Sequence, residues 1–235
     1  MEKGYKNIVI LFTIIAVIVF LGFYPTYFAL FPEFKGLVGL HHFHGIVMIL
    51  WLLVLIIQPV LINKKKYQWH RFIGKISYIL VPIIIISMVL VYKRAILNSL
   101  AENGIENTLT LSLLFMPLTD ILPFAVFYLL AIIYRKKVNN HLRFMISTAV
   151  VVVGSGIVRI FSVGFGMGFL EAIYANAAVL ALTFLGLIIY DLNHKQLSSN
   201  KSFIIAFLVF TIPNLLIVFI PKTDAWKNIS DVILN

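Results

Sequence analysis

The stretch His42-Phe43-His44-Gly45-Ile46-Val47-Met48-Ile49-Leu50-Trp51-Leu52-Leu53-Val54-Leu55-Ile56-Ile57-Gln58-Pro59-Val60-Leu61-Ile62 decides the fold. It contains no Asp, Glu, Lys or Arg. As a helix rising about 1.5 Å per residue it covers a hydrocarbon core of about 30 Å. Helix is the physical choice, because lipid offers no partners to backbone N–H and C=O groups. Working outward, six further apolar runs of comparable length fall at about 8–30, 71–92, 109–134, 143–165, 172–193 and 202–220. The whole chain is 235 residues, 61% apolar and 12% charged, with a mean hydropathy of +1.02. Soluble domains run near 45–50% apolar and about 25% charged. These numbers exclude a soluble enzyme, a disordered tail and a fibrous protein. They predict an all-α polytopic membrane bundle of seven transmembrane helices, forming one integral membrane domain over 1–235.

The net charge of +10 does not point to nucleic acid, because the cations sit in short loops between apolar runs. With the N-terminus inside, the inner segments carry Lys3, Lys6, Lys64, Lys65, Lys66, Arg71, Lys75, Arg135, Lys136, Lys137, Arg143, Lys195 and Lys201. The outer segments carry only Lys35, Lys93, Arg94, Lys222 and Lys227. The positive-inside rule therefore predicts N-in, C-out, and the first run reads as an uncleaved span. The chain has no cysteine. That excludes disulfides, thiolate metal sites, iron–sulfur clusters and covalently attached haem. No P-loop, G-x-S-x-G or H-E-x-x-H motif occurs, so a hydrolase lacks a nucleophile and base.

Ionisable residues inside spans mark functional candidates, because burying them in lipid is costly. Asp120 falls near the middle of the fourth span and Arg159 in the outer half of the fifth. The two either lock their helices as an ion pair or line a polar pocket. Pro117 and Pro123 bracket Asp120, and each proline frees a carbonyl four residues earlier. Broken helix at membrane depth is tolerated where it meets protein or a wet cavity. In the second span His44, Met48, Trp51, Leu55 and Gln58 recur at steps of four and three, so they share one face. That face either hydrogen-bonds to neighbouring helices or forms a ligand wall. His44, Trp51, Gln58, Asp120 and Arg159 are thus the pocket candidates.

His70-Arg71 opens the third span and His141-Leu142-Arg143 the fifth. These spans run the same way, which sets both histidines at one inner depth. They either cap inner helix ends or supply the two imidazoles of a b-type haem, with Arg71 and Arg143 beside its propionates. Gly154 and Gly156 would leave room for a helix or a flat ligand. His41, His42 and His44 lack a third metal ligand from elsewhere, and no metal site is predicted.

Taken together, His41 or His44, Gly45, Gln58, His70-Arg71, Gly74 and Tyr78 form one block. His141, Arg143, Met145 and Arg159 form another. The pattern H-x3-G, then Q, then H-R-x2-G-[RK]-x2-Y, then H-x-[RW]-[WY]-M-x-R with a later arginine resembles a family of bacterial multi-pass membrane proteins of unknown function. The likeness covers about 41–80 and 139–160. Lys75 and Phe144 stand at variable places of the pattern, and Ser147 stands where arginine is common. The likeness implies a bacterial inner-membrane setting and no particular activity. The architecture is also similar to transmembrane b-type cytochromes.

Three functions remain open on these residues. One is electron transfer through a bundle-bound haem b or quinone. Another is a carrier or binding protein for a small lipophilic or anionic molecule. The third is a non-catalytic subunit of a larger membrane complex. The lipid bilayer is the common partner.

Overall fold

The computed structural model describes residues 2–194 and 201–234; Lys195, counted above among the inner cations, lies outside them. Every regular element among the described residues is helical. The order is α1 (Glu2–Phe23), α2 (Gly39–Asn63), α3 (Tyr67–Asn103), α4 (Thr108–Thr119), α5 (Ile121–Ile133), α6 (Val138–Arg159), α7 (Phe169–Asn193), α8 (Ser202–Phe219) and α9 (Asp224–Leu234). Among the described residues seven spans are long and apolar enough to cross a membrane, with α4 and α5 together making the fourth. The chain is a multi-pass membrane protein, an all-α bundle. Below, the basic face is the one bearing the Lys64-Lys65-Lys66 and Arg135-Lys136-Lys137 turns, and the far face is opposite.

Element ends follow local chemistry. The first helix stops at Phe23 and not at 30, since Pro25 removes a donor and disfavours helix at the residue before it. The third runs to Asn103, well past 92, because the sequence after Lys93-Arg94 still favours helix. It stops where Gly104 takes φ +78°, a conformation open to glycine. Helix α6 passes into a π-helical turn at Ile160–Gly164, where the Phe165 N–H reaches Ile160 O at 3.1 Å.

Helix α6 is the axis. It packs against α1, α5, α7 and α8. Of its most apolar stretch 67% is buried, against 17% for α1. Rings of Phe127, Phe184 and Phe210 form a continuous chain through the core, with centroids 6.0 and 5.5 Å apart. Large apolar residues such as Ile79, Leu182 and Leu215 point outward from the bundle. A lipid solvent accounts for that girdle, which water would not tolerate.

Lipid gives helices little hydrophobic reason to associate, so close backbone contact matters. Helices α1 and α6 cross at Gly22 and Gly156. A Cβ on Gly22 would collide with the Gly156 backbone, and one on Gly156 would lie 2.9 Å from Val19 Cα. Asn176 and Leu180 of α7 come equally close to Gly154, at 3.0 and 3.1 Å from a Cβ built there. The room left by these two glycines is therefore filled by neighbouring helices, not by a flat ligand.

Candidate functional site

Polar groups gather at two depths. The first lies toward the basic face. Arg143, near the start of α6, is buried and makes a bidentate ion pair with Asp191 of α7, Nε to Oδ2 at 2.7 Å and Nη2 to Oδ1 at 2.6 Å. A third donor, Nη1, reaches Asn139 O at 3.1 Å, and the guanidinium lies 5.5 Å from the Phe203 ring centre. This corrects the expectation that Arg143 would meet a haem propionate, because its fork already holds a carboxylate. Asp191 falls near the end of the 172–193 run and is not among the candidate residues of the sequence. It is in fact fully buried, and the depth of the α6–α7 crossing makes the difference.

Beside this pair, His141 Nδ1 lies 2.8 Å from Ala131 O at the end of α5. A carbonyl can only accept, so Nδ1 carries the proton and Nε2 keeps its lone pair. The bond satisfies one of the free carbonyls of a helix C-terminus. His70 is at the matching position of α3 and within electrostatic reach of His141. Its Nδ1 is buried without a partner, while its carbonyl accepts from Gln58 Nε2 at 3.2 Å. Arg71 is exposed. As a test of haem, each imidazole keeps a ring nitrogen without a protein partner, Nε2 of His141 and Nδ1 of His70. Arg143 and the filled glycine positions do not suit the rest of the group.

Gln58 belongs to this half, and Trp51 lies midway along α2, about two turns from each of His44 and Gln58. Trp51 is 0% exposed, edge-on to Phe124 and Tyr128 at 5.7 and 5.8 Å, so it is core and not a pocket wall. Trp51 Nε1 and Gln58 Oε1 are both buried without partners. Tyr128 donates to Ser77 Oγ at 2.8 Å, since Ser77 gives its own proton to Gly74 O at 2.6 Å.

The second group lies toward the far face. Chain geometry at Asp120 builds it. Helix α4 ends at Thr119 and α5 restarts at Ile121. Pro123 cannot bond Thr119 O, which instead accepts from Asn214 Nδ2 of α8 at 3.3 Å. The break delivers the Asp120 carboxylate to the Tyr92 hydroxyl, which donates to it, with Thr119 Oγ1 at 3.4 Å. Tyr92 immediately precedes Lys93-Arg94, at the far end of the third apolar run. Asp120 falls midway along the span Thr108–Ile133, as the residue count gives, and its carboxylate is held by Tyr92 of α3.

Across from it, Arg159 ends α6. Its Nη1 donates to Ser155 O at 2.9 Å, and its guanidinium carbon lies over the Phe23 ring of α1, 3.8 Å from the ring centre. Among the described residues the ion pairs are Lys35–Glu33, Arg143–Asp191 and Lys227–Asp224. Arg159 and Asp120 thus do not lock two helices as a pair. Arg159 is within electrostatic reach of Tyr92 and His44. His44 Nδ1 lies 2.9 Å from Ser87 Oγ, and Ser87 donates to Ile84 O at 2.7 Å. Nδ1 is then the donor, and Nε2 is left as an acceptor. All three pocket candidates at this level, His44, Asp120 and Arg159, are half-buried. The other outer histidines turn elsewhere: His41 Nδ1 accepts the Val38 N–H at 3.0 Å, and His42 Nδ1 lies 2.6 Å from Tyr27 Oη.

Comparison with protein-family models, curated proteins and solved structures returns no match. Sequence reading missed Asp191, Tyr92 and Ser87, the partners of Arg143, Asp120 and His44. Tyrosine and serine inside apolar runs carry no distinctive spacing. Asp191 had one signal, four apolar residues preceding it without a break from Leu187 to Tyr190.

Proposed function

We propose that this protein is an integral-membrane carrier or binding protein that takes a small anionic, partly lipophilic molecule in the far-face half of the bundle. The observation that carries the reading is Arg159, a guanidinium within a span that holds a backbone carbonyl and an aromatic face but no carboxylate. A cation at such depth is costly unless an anion or water answers it. An acid group on the ligand would occupy the guanidinium fork. His44 Nε2 would accept a hydroxyl or amide proton from the same molecule. Asp120 and Tyr92, already bonded to each other, would form the opposite wall. Half-helices that begin at membrane depth are a recurrent way of building such sites, and the α4–α5 break lies at this one.

The test uses detergent-purified protein and two probes, octanoate and inorganic phosphate. Octanoate is expected to raise the thermal unfolding midpoint of the parent and of Arg159→Lys, but not of Arg159→Gln. An equal rise in all three, or a Gln variant that does not accumulate, would assign Arg159 a structural role.

A redox reading, with haem b or a quinone held toward the basic face, is favoured by one observation. His141 is fixed with Nε2 free and His70 lies at the same level. When bound, such a group would supply one-electron transfer. His70 and His141 would hold it, and Ala131 O would orient the His141 ring. An optical spectrum of protein made with ample haem checks this: a Soret band that His141→Ala removes supports it, and a colourless preparation ends it. On either reading the setting is a bacterial cytoplasmic membrane with the N-terminus inside. The lysine and arginine bias and the likeness to a bacterial family support that setting.

A further inference from the structure

Beyond the seventh span the chain forms a further helix, α9, whose sides differ sharply. Thr223 starts it, its Oγ1 accepting the Trp226 N–H at 3.3 Å. One side is tethered to the bundle. Trp226 Nε1 donates to Leu111 O of α4 at 3.0 Å, its ring meets Phe115 edge-on at 5.2 Å, and Ser230 is fully buried. A second side is polar. Asp224 pairs with Lys227 at 3.1 Å, and Asn228 and Asp231 face a cavity shared with Glu106 at the start of α4. The third side holds Ile229, Val232 and Ile233, which are 49%, 82% and 60% exposed. At steps of three, four and one residue these positions share a stripe.

What covers that stripe follows from its place. Only the short turn Ile220–Lys222 separates α9 from α8, whose Leu215, Leu216 and Phe219 are outward-facing members of the apolar girdle. The stripe therefore continues a surface that already meets lipid, at the depth where the spans leave it. We propose that α9 lies in the membrane interface of the far face, with Ile229, Val232 and Ile233 among the acyl chains and Asn228 and Asp231 toward water. Its polar side carries one lysine against two aspartates. The attraction is thus apolar and independent of anionic headgroups, unlike that of a basic surface helix.

The absence of cysteine makes the test direct. Nitroxide labels on Val232→Cys and, separately, Asn228→Cys are placed in protein reconstituted into phosphatidylcholine vesicles. Power saturation then compares access to oxygen, which concentrates in lipid, with access to a water-soluble nickel chelate. The label at 232 is expected to favour oxygen at least threefold over the label at 228, and to do so equally when phosphatidylglycerol is added. Equal nickel access at both positions would overturn the proposal by leaving α9 in water. Shielding of 232 from both reagents would overturn it by showing a protein partner or a second copy on the stripe.

Discussion

Helix α6 carries two arginines about 24 Å apart along its axis at 1.5 Å per residue, and their surroundings differ in kind. Arg143 is closed. Its fork is filled by Asp191 on both arms, and the pair is shut off from solvent by the α6–α7 packing. Arg159 is open. It rests on Phe23 and one carbonyl, half-buried, while the Asp120 carboxylate is committed to Tyr92. The same residue type on the same helix is thus a structural lock at one end and a candidate receptor at the other. A charge whose demands are met inside the protein has nothing left to offer a ligand, and a charge left partly unmet does.

That contrast can be broken by substitution. The largest effect is expected at the lock. Asp191→Ala leaves a buried guanidinium unanswered, at a cost of about 3–5 kcal/mol. Purified protein should show a collapsed unfolding midpoint or fail to accumulate. The double change Arg143→Met with Asp191→Leu should recover most of that loss, since apolar replacements of a buried pair are often neutral. No recovery would mean that Arg143 does more than hold α7.

Next comes the helix crossing that supports Arg159. Gly156→Ala drives a methyl into Val19 and should cost about 1–3 kcal/mol through overpacking. Gly45→Ala, where a Cβ meets only the Tyr27 ring at 3.9 Å, should be close to neutral. Equal effects in thermal unfolding would remove the crossing from the account.

Tyr92→Phe takes the nearer of two donors from Asp120, leaving only Thr119 Oγ1 at 3.4 Å, and should cost about 1–2 kcal/mol. If the cost is instead negligible, water already serves Asp120 and the far-face cluster is wetter than its geometry implies. The smallest stability effect should be that of Arg159→Gln, less than about 1 kcal/mol for the lost cation–π contact. A loss comparable to Asp191→Ala would erase the distinction between the two arginines.

Parts of this were legible in the residues. The run from His42 to Ile62 sufficed for a spanning helix, and the other six runs for a seven-span bundle, because crossing lipid constrains composition more tightly than any other fold requirement does. The steps His44, Met48, Trp51 correctly described one face of α2, yet that face serves two neighbourhoods. His44 meets Ser87 of α3, while Trp51 is packed on α5. Periodicity gives a direction from one helix but not what stands opposite. The α9 stripe of Ile229, Val232 and Ile233 is present in the residues, but an eleven-residue helix is too short to register as a span.

The sequence alone determined the solvent, the number of spans and which ionisable groups would have to be answered within lipid, since those depend on local composition and length. Tertiary structure alone decided who answers them. The break at Asp120 delivers that carboxylate to Tyr92 instead of Arg159, and the α6–α7 crossing gives Asp191 to Arg143. Such pairings depend on where two helices meet and at what height, and neither quantity is written in the residues of either helix by itself.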